Sequence, residues 1–302
     1  MERALKNRLI FGSIMLTVVL VLLGADEYLQ LATRGWIVRG QRMTDGIGGI
    51  GLTVLLLAAL PPAVVELATL FAAERIKPYR LISTVGVWAL IIHGFLTQFR
   101  GFENISTSVL AFILVFTMLL AALRRAWRRQ TQEAITAMAG TVLAMLYLGG
   151  LAWFFVALRV KSGPGFHGST MAIVMIVLTV KFTDIGAFFG GKAIGKHKLI
   201  PWLSPQKTWE GLACGLVAAG LMGAVCAPSI LGLTWGRAII FGLFMGAIGQ
   251  IGDLLESLMK RDAEVKDSGS AIPGFGGILD VLDSPLLAAP FAYLLFSLFS
   301  SR

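Results

Sequence analysis

The densest group of polar residues in this 302-residue chain runs from Asp253 to Asp283. It opens with Gly252-Asp253-Leu254-Leu255-Glu256-Ser257 and continues through Lys260-Arg261-Asp262 and Lys266-Asp267. It turns at Ser268-Gly269-Ser270 and Pro273-Gly274-Phe275-Gly276-Gly277, then ends with Asp280 and Asp283, which share one helical face. Lys and Arg recognise phosphate oxygens. Carboxylates repel a polyphosphate unless something cancels their charge. Asp253, Asp280 and Asp283 among these cationic side chains therefore point to Mg²⁺ ions bridging protein carboxylates and substrate phosphates. Two such ions could stabilise the entering and leaving oxygens of an in-line displacement at phosphorus. Capping by the helix dipole accounts for Asp280 alone, but not for the whole set.

A second group lies upstream. Lys181 and Asp184 stand on one face of an apolar run, where ionisable groups are costly and usually line a functional cavity. The stretch from Gly190 to Lys196 fits G-x-x-x-x-G-K, but His197 follows where Ser or Thr belongs. It also follows a helix, not a strand, so it is not a P-loop. It reads instead as a flexible basic loop able to reach an anionic group, continuing into Ser204-Pro205-Gln206-Lys207-Thr208-Trp209-Glu210-Gly211. His93, His167 and His197 are too scattered for zinc, and His93 reads as a hydrogen-bonded bundle residue. No Gly-x-Ser-x-Gly elbow is present. Cys214 and Cys226 lie roughly 18 Å apart along one helix, too far to bridge.

The elements that must position these residues are membrane helices. Hydrophobic residues make up 56% of the chain and charged ones 14%, too few to cover a water-facing surface. Long apolar blocks of about 20 residues each match the roughly 30 Å hydrocarbon layer. The expected fold is an all-α, polytopic transmembrane bundle of about nine spans. These fall at about 9–25, 50–73, 81–98, 106–123, 134–157, 169–189, 211–232, 236–258 and 284–300. The first is expected to be an uncleaved helix, because no small-x-small pattern follows it. Lys and Arg gather in alternate loops, including Arg124, Arg125, Arg128 and Arg129 around Trp127, and place the N-terminus in the cytoplasm. That bias also explains the net charge of +9, so a nucleic-acid partner is not expected. Residues 1–165 read as a lipid-embedding scaffold and 166–302 as the region that carries the chemistry.

The stretch from Ser257 to Asp283 resembles the signature of the phosphatidate cytidylyltransferase (CDP-diacylglycerol synthase) family. Ser257, Lys260, Arg261, Lys266, Asp267, Gly269, Pro273, Gly276, Gly277, Asp280 and Asp283 stand in register with it. The preceding Gly252-Asp253-Leu254, the Ser204 to Gly211 segment and Asp184-x-Gly186-Ala187 are similar to further family segments. The resemblance covers roughly residues 180–300. It departs at Phe275, where the family has His, and at Val281, where it has Arg.

The resemblance implies transfer of a cytidylyl group from CTP to phosphatidate, giving CDP-diacylglycerol and pyrophosphate. It implies Mg²⁺ on Asp253, Asp280 and Asp283, with a second cation that could be monovalent. Lys260, Arg261, Lys266 and Asp267 are the expected catalytic group, and Lys207, Ser204, Ser257 and Asp184 the substrate-binding one. The expected location is the inner (plasma) membrane, among its lipids, with the active-site loops cytoplasmic; a homodimer remains open. A CTP-dependent lipid kinase, a member that has lost activity and a transporter are the alternatives. Inverted repeats or paired broken helices would support the last, and neither is found.

Overall fold

The computed structural model describes residues 2–129, 131–160 and 170–300, with side chains from residue 10 to residue 299 within them. Lys161, His167, Arg302 and the expected boundary at 165/166 lie outside the described residues, as do the side chains of Arg3, Lys6 and Arg8. Among the described residues ten α-helices dominate: α1 (Glu2–Ala32), α2 (Ile50–Ala73), α3 (Arg80–Leu96), α4 (Glu103–Trp127), α5 (Ala134–Met145), α6 (Leu151–Val160), α7 (Thr170–Ile194), α8 (Trp209–Leu231), α9 (Trp235–Asp262) and α10 (Leu279–Ser300). A π-helical turn, Leu146–Gly150, joins α5 and α6 into one apolar element. Among the described residues, eight helical elements are long and apolar enough to cross a bilayer. The ninth expected span is α3, apolar but 17 residues long, at the lower limit for crossing.

By its internal contacts the chain divides into two units, Met1–Lys161 with Asp262–Val281, and Ser162–Arg261 with Leu282–Arg302. In the first, Leu60, Val64 and Leu67 of α2 are fully buried, as are Val87 and Ile91 of α3 and Met145 and Leu148 beyond them. Small residues permit this packing. A Cβ on Gly86 would meet Met145 Sδ at 2.6 Å, and one on Gly149 would meet Val87 Cα at 2.8 Å. Polar residues pin the helix ends. Arg159 Nε donates to Asp26 Oδ2 at 2.6 Å, both side chains wholly buried, while Gly51 N–H donates to Asp26 Oδ1 at 2.9 Å. His93 is the hydrogen-bonded bundle residue expected: Trp153 Nε1 donates to its Nδ1, and its Nε2 faces the Ser106 carbonyl at 2.9 Å. On α4, Phe112, Val115, Leu119 and Leu123 form an exposed apolar stripe suited to lipid, and the Arg-rich end carries Trp127 fully in the open.

In the second unit, α7, α8 and α9 touch through glycines. A Cβ on Gly215 would meet Thr183 O at 2.8 Å, and one on Gly242 would meet Ala219 O at 2.2 Å. Cys214 packs beside Gly190 and is a free thiol, as is Cys226. The 190–211 stretch is not the flexible loop expected. Gly190 to Ile194 complete α7, and β3 (Lys198–Ile200) pairs antiparallel with β4 (Ser204–Thr208) in a hairpin. Glu210 closes it by accepting from the N–H groups of Lys196 and His197 and from His197 Nδ1 at 2.6 Å.

Candidate functional site

The site grows from the last turns of α9. Asp253 and Glu256 are one turn apart and therefore share a face. Gly252 lets α10 approach that face, since a Cβ there would come within 2.8 Å of Ser284 Cα. This brings Asp283 alongside. Among the described residues, Asp253, Glu256 and Asp283 form a carboxylate group whose ligand oxygens all lie within 4.8 Å of one another. Glu256 and Asp283 are buried, 2% and 3% exposed.

Three carboxylates at this spacing repel strongly: at an effective dielectric constant of about 20, each like pair costs roughly 3 kcal/mol. Two lysines offset part of this. Lys260 Nζ stands 2.9 Å from Glu256 Oε2, one turn along α9, and Lys207 Nζ reaches from β4 to within 2.8 Å of Asp253 Oδ2. Three carboxylates against two ammonium groups leave a net negative pocket of hard oxygen donors, a donor set that fits a divalent cation of the Mg²⁺ or Ca²⁺ kind.

A cavity of about 430 Å³ opens beside it, within the range of small-molecule sites. Asp184, Lys192, Ser204, Lys207, Gln250 and Asp253 are among its lining residues. Gln250, buried on α9, donates to Asp184 Oδ1 at 3.0 Å, and Lys181 Nζ lies 3.7 Å from Asp184 Oδ2. The hairpin carrying Ser204 and Lys207 is braced by Arg261, whose Nε donates to the Leu203 carbonyl at 3.2 Å. Arg261, expected to face phosphates, therefore also holds the hairpin in place. Ser257 is half-buried on α9 beside Glu256.

The remaining expected residues belong to the other unit. Lys266 and Asp267 are exposed on the segment between α9 and α10. Asp280, expected among the metal ligands, bonds to loop amides in this structure. Its carboxylate accepts from Gly277 N–H at 2.6 Å and from Ser268 N–H at 3.2 Å, so it closes the turn that precedes α10. First-turn N–H groups and nearby loop amides attract a carboxylate placed there, which is why Asp280 faces its own loop. Phe275 meets an apolar neighbour: a Cβ on Gly12 of α1 would lie 3.2 Å from its ring. Glu256, Gln250 and Lys192 were not singled out by the sequence. The spacing of Glu256 from Asp253 was the available signal; Gln250 had none.

The fold and this site define a multi-pass helical membrane protein with a group of three close carboxylates beside a cavity of small-molecule size. The chain belongs to the Cytidylyltransferase family, whose sequence model matches residues 29–299. The match therefore includes α2 to α6, beyond the 180–300 stretch that carries the recognisable motifs. The chain is 35% identical over 258 residues to the phosphatidate cytidylyltransferase of Bacillus subtilis (strain 168), covering 84% of this chain and 91% of that one. It is 33% identical to phosphatidate cytidylyltransferase 5, chloroplastic, of Arabidopsis thaliana, over 82% of this chain and 66% of that one. A Helicobacter pylori phosphatidate cytidylyltransferase is 28% identical over 94% and 89%.

Proposed function

We propose that this chain transfers a cytidylyl group from CTP to phosphatidate, releasing pyrophosphate and forming CDP-diacylglycerol. The observation that carries this reading is the convergence of Asp253, Glu256 and Asp283 with Lys207 and Lys260 beside the cavity. Asp253, Glu256 and Asp283 would hold Mg²⁺, which when bound supplies positive charge to the triphosphate and orients it. Lys207 and Lys192 line the cavity and bind phosphate oxygens there. A phosphate oxygen of phosphatidate attacks the α-phosphorus of CTP. The new P–O bond forms as the bond to the β-bridging oxygen breaks, and pyrophosphate leaves with that electron pair. The attacking oxygen is already anionic, so no strong general base is required. Positioning and charge cancellation carry the barrier reduction.

Lys260 serves mainly to hold the buried Glu256 carboxylate in place. Arg261 holds the hairpin that presents Ser204 and Lys207. Lys266 and Asp267 keep the catalytic role that the family resemblance implies for them. The location that supports this chemistry is the inner (plasma) membrane, with the hairpin and the C-terminal end of α9 cytoplasmic, where CTP is found. The bias of Lys and Arg toward those loops supports that side.

The test is product analysis with protein purified in detergent, CTP and phosphatidate. Pyrophosphate release that needs both substrates and a divalent cation supports the reading. Release of CDP in place of pyrophosphate would mean attack at the γ-phosphorus and a lipid kinase. No turnover by folded protein would mean that Phe275 and Val281 mark a lost activity.

A further inference from the structure

Glu66 lies in the middle of the apolar helix α2 and is buried. A carboxylate there is expensive unless donors surround it. The donors come from 202 to 213 residues further along the chain. Ile278 N–H donates to Glu66 Oε1 at 3.0 Å and Leu279 N–H to Oε2 at 2.8 Å. The Ser268 hydroxyl stands 3.5 Å from Oε2. These amides enter the first turn of α10, where no helical carbonyl can accept them. Glu66 is thus an N-terminal cap supplied by another helix, with charge-assisted bonds.

The glycines of the signature fit around it. A Cβ on Gly269 would meet the Glu66 side chain first, at 2.6 Å from Oε1. One on Gly277 would lie 2.5 Å from Oε2 and 2.3 Å from Ser268 Oγ. The cradle that receives the carboxylate therefore exists because these two positions have no side chain.

We propose that Glu66 is a positioning residue for the cytidylyl transfer. It clamps the Ser268–Leu279 loop, and so orients Lys266, Asp267 and the first turn of the helix that carries Asp283. This rests on the function proposed above, and Glu66 itself touches no substrate.

The experiment compares Glu66→Gln, Glu66→Ala, Gly269→Ala and the Glu66→Ala/Gly269→Ala double variant in detergent. Amide hydrogen exchange is followed at Ile278 and Leu279, alongside kcat, the KM for CTP and the melting temperature. Glu66→Ala is expected to speed exchange at both amides at least tenfold. It should lower kcat about tenfold or more while the KM for CTP changes less than threefold. Glu66→Gln, which keeps one acceptor oxygen, should recover part of both effects. Gly269→Ala should lower kcat in the parent chain but add little in the Glu66→Ala background, because the three atoms nearest its methyl group all belong to the Glu66 side chain. Unchanged exchange and kcat, kcat losses that merely follow the folded fraction, or additive losses in the double variant would each overturn the proposal. If the parent protein releases no pyrophosphate, the proposed reaction fails, and the exchange data alone decide whether Glu66 clamps the loop.

Discussion

Gly252 and Ser284 bring α9 and α10 into backbone contact, so close that a methyl group on Gly252 would stand 2.8 Å from Ser284 Cα. That contact sets the distance between Asp253 and Glu256 on one helix and Asp283 on the other. Gly252→Ala must push the helices apart, and overpacking of this kind costs about 1–3 kcal/mol. Much of that cost should fall on the carboxylate group. The expected result is a roughly tenfold rise in the Mg²⁺ concentration needed for half-maximal pyrophosphate release. A Mg²⁺ titration checks it, and an unchanged half-saturation point would show that the helix spacing does not control the site.

The carboxylates themselves separate by role. Asp283→Asn and Glu256→Gln each remove a charge from the group held within 4.8 Å, so each should demand at least tenfold more Mg²⁺ and lose most turnover. Asp280→Asn should behave differently, because its carboxylate accepts from Gly277 and Ser268 N–H groups. Its turnover should fall at every Mg²⁺ concentration, with little shift in half-saturation. The same titration distinguishes the two patterns. A shift for Asp280→Asn as large as that for Asp283→Asn would return Asp280 to the metal ligands.

Much of this architecture could be read before any coordinates. Continuous apolar runs have few alternatives to spanning helices, so all nine helical stretches were legible, although α3 is short for a span. Asp253, Lys207, Lys260 and Asp283 were legible because clustered charge is rare in such a chain. The β3–β4 hairpin was not: its strands are three and five residues long, and its closure depends on Glu210 reaching back to Lys196 and His197. Glu66 was hidden for a different reason. A single acid in an apolar helix reads as an exception until its donors, more than 200 residues away, are seen. Asp280 and Asp283 share a helical face, but periodicity does not reveal that the Ser268 and Gly277 amides bond the first of them.

Lys260 offers a test of the electrostatics apart from catalysis. Its ammonium lies 2.9 Å from Glu256, which is 2% exposed, so Lys260→Met leaves a buried carboxylate facing Asp253 and Asp283 without its lysine. Breaking one side of a buried pair costs about 3–5 kcal/mol. The melting temperature should drop in the absence of divalent cation and recover substantially in millimolar Mg²⁺, since the ion restores the missing positive charge. The parent protein should gain much less from Mg²⁺ in the same thermal scan. Equal gains in the two proteins would separate Lys260 from the metal site.

The Asp26–Arg159 pair makes the opposite prediction, a large effect on stability with none on chemistry. Both side chains are wholly buried at 2.6 Å, and Asp26 also accepts from Gly51 N–H at the start of α2. Asp26→Ala removes the wholly buried partner of the Arg159 guanidinium, which keeps Glu27 Oε2 at 3.4 Å, so the loss should lie toward the lower end of about 3–5 kcal/mol. Asp26→Ala/Arg159→Met removes both charges and replaces the longer side chain with apolar bulk. Its melting temperature should therefore fall by clearly less than the sum of the two single variants. Because neither residue belongs to the carboxylate group or the cavity, pyrophosphate release per folded molecule should match the parent at low temperature. Additive losses in the double variant would mean that the two charges stabilise the fold independently, whatever their distance.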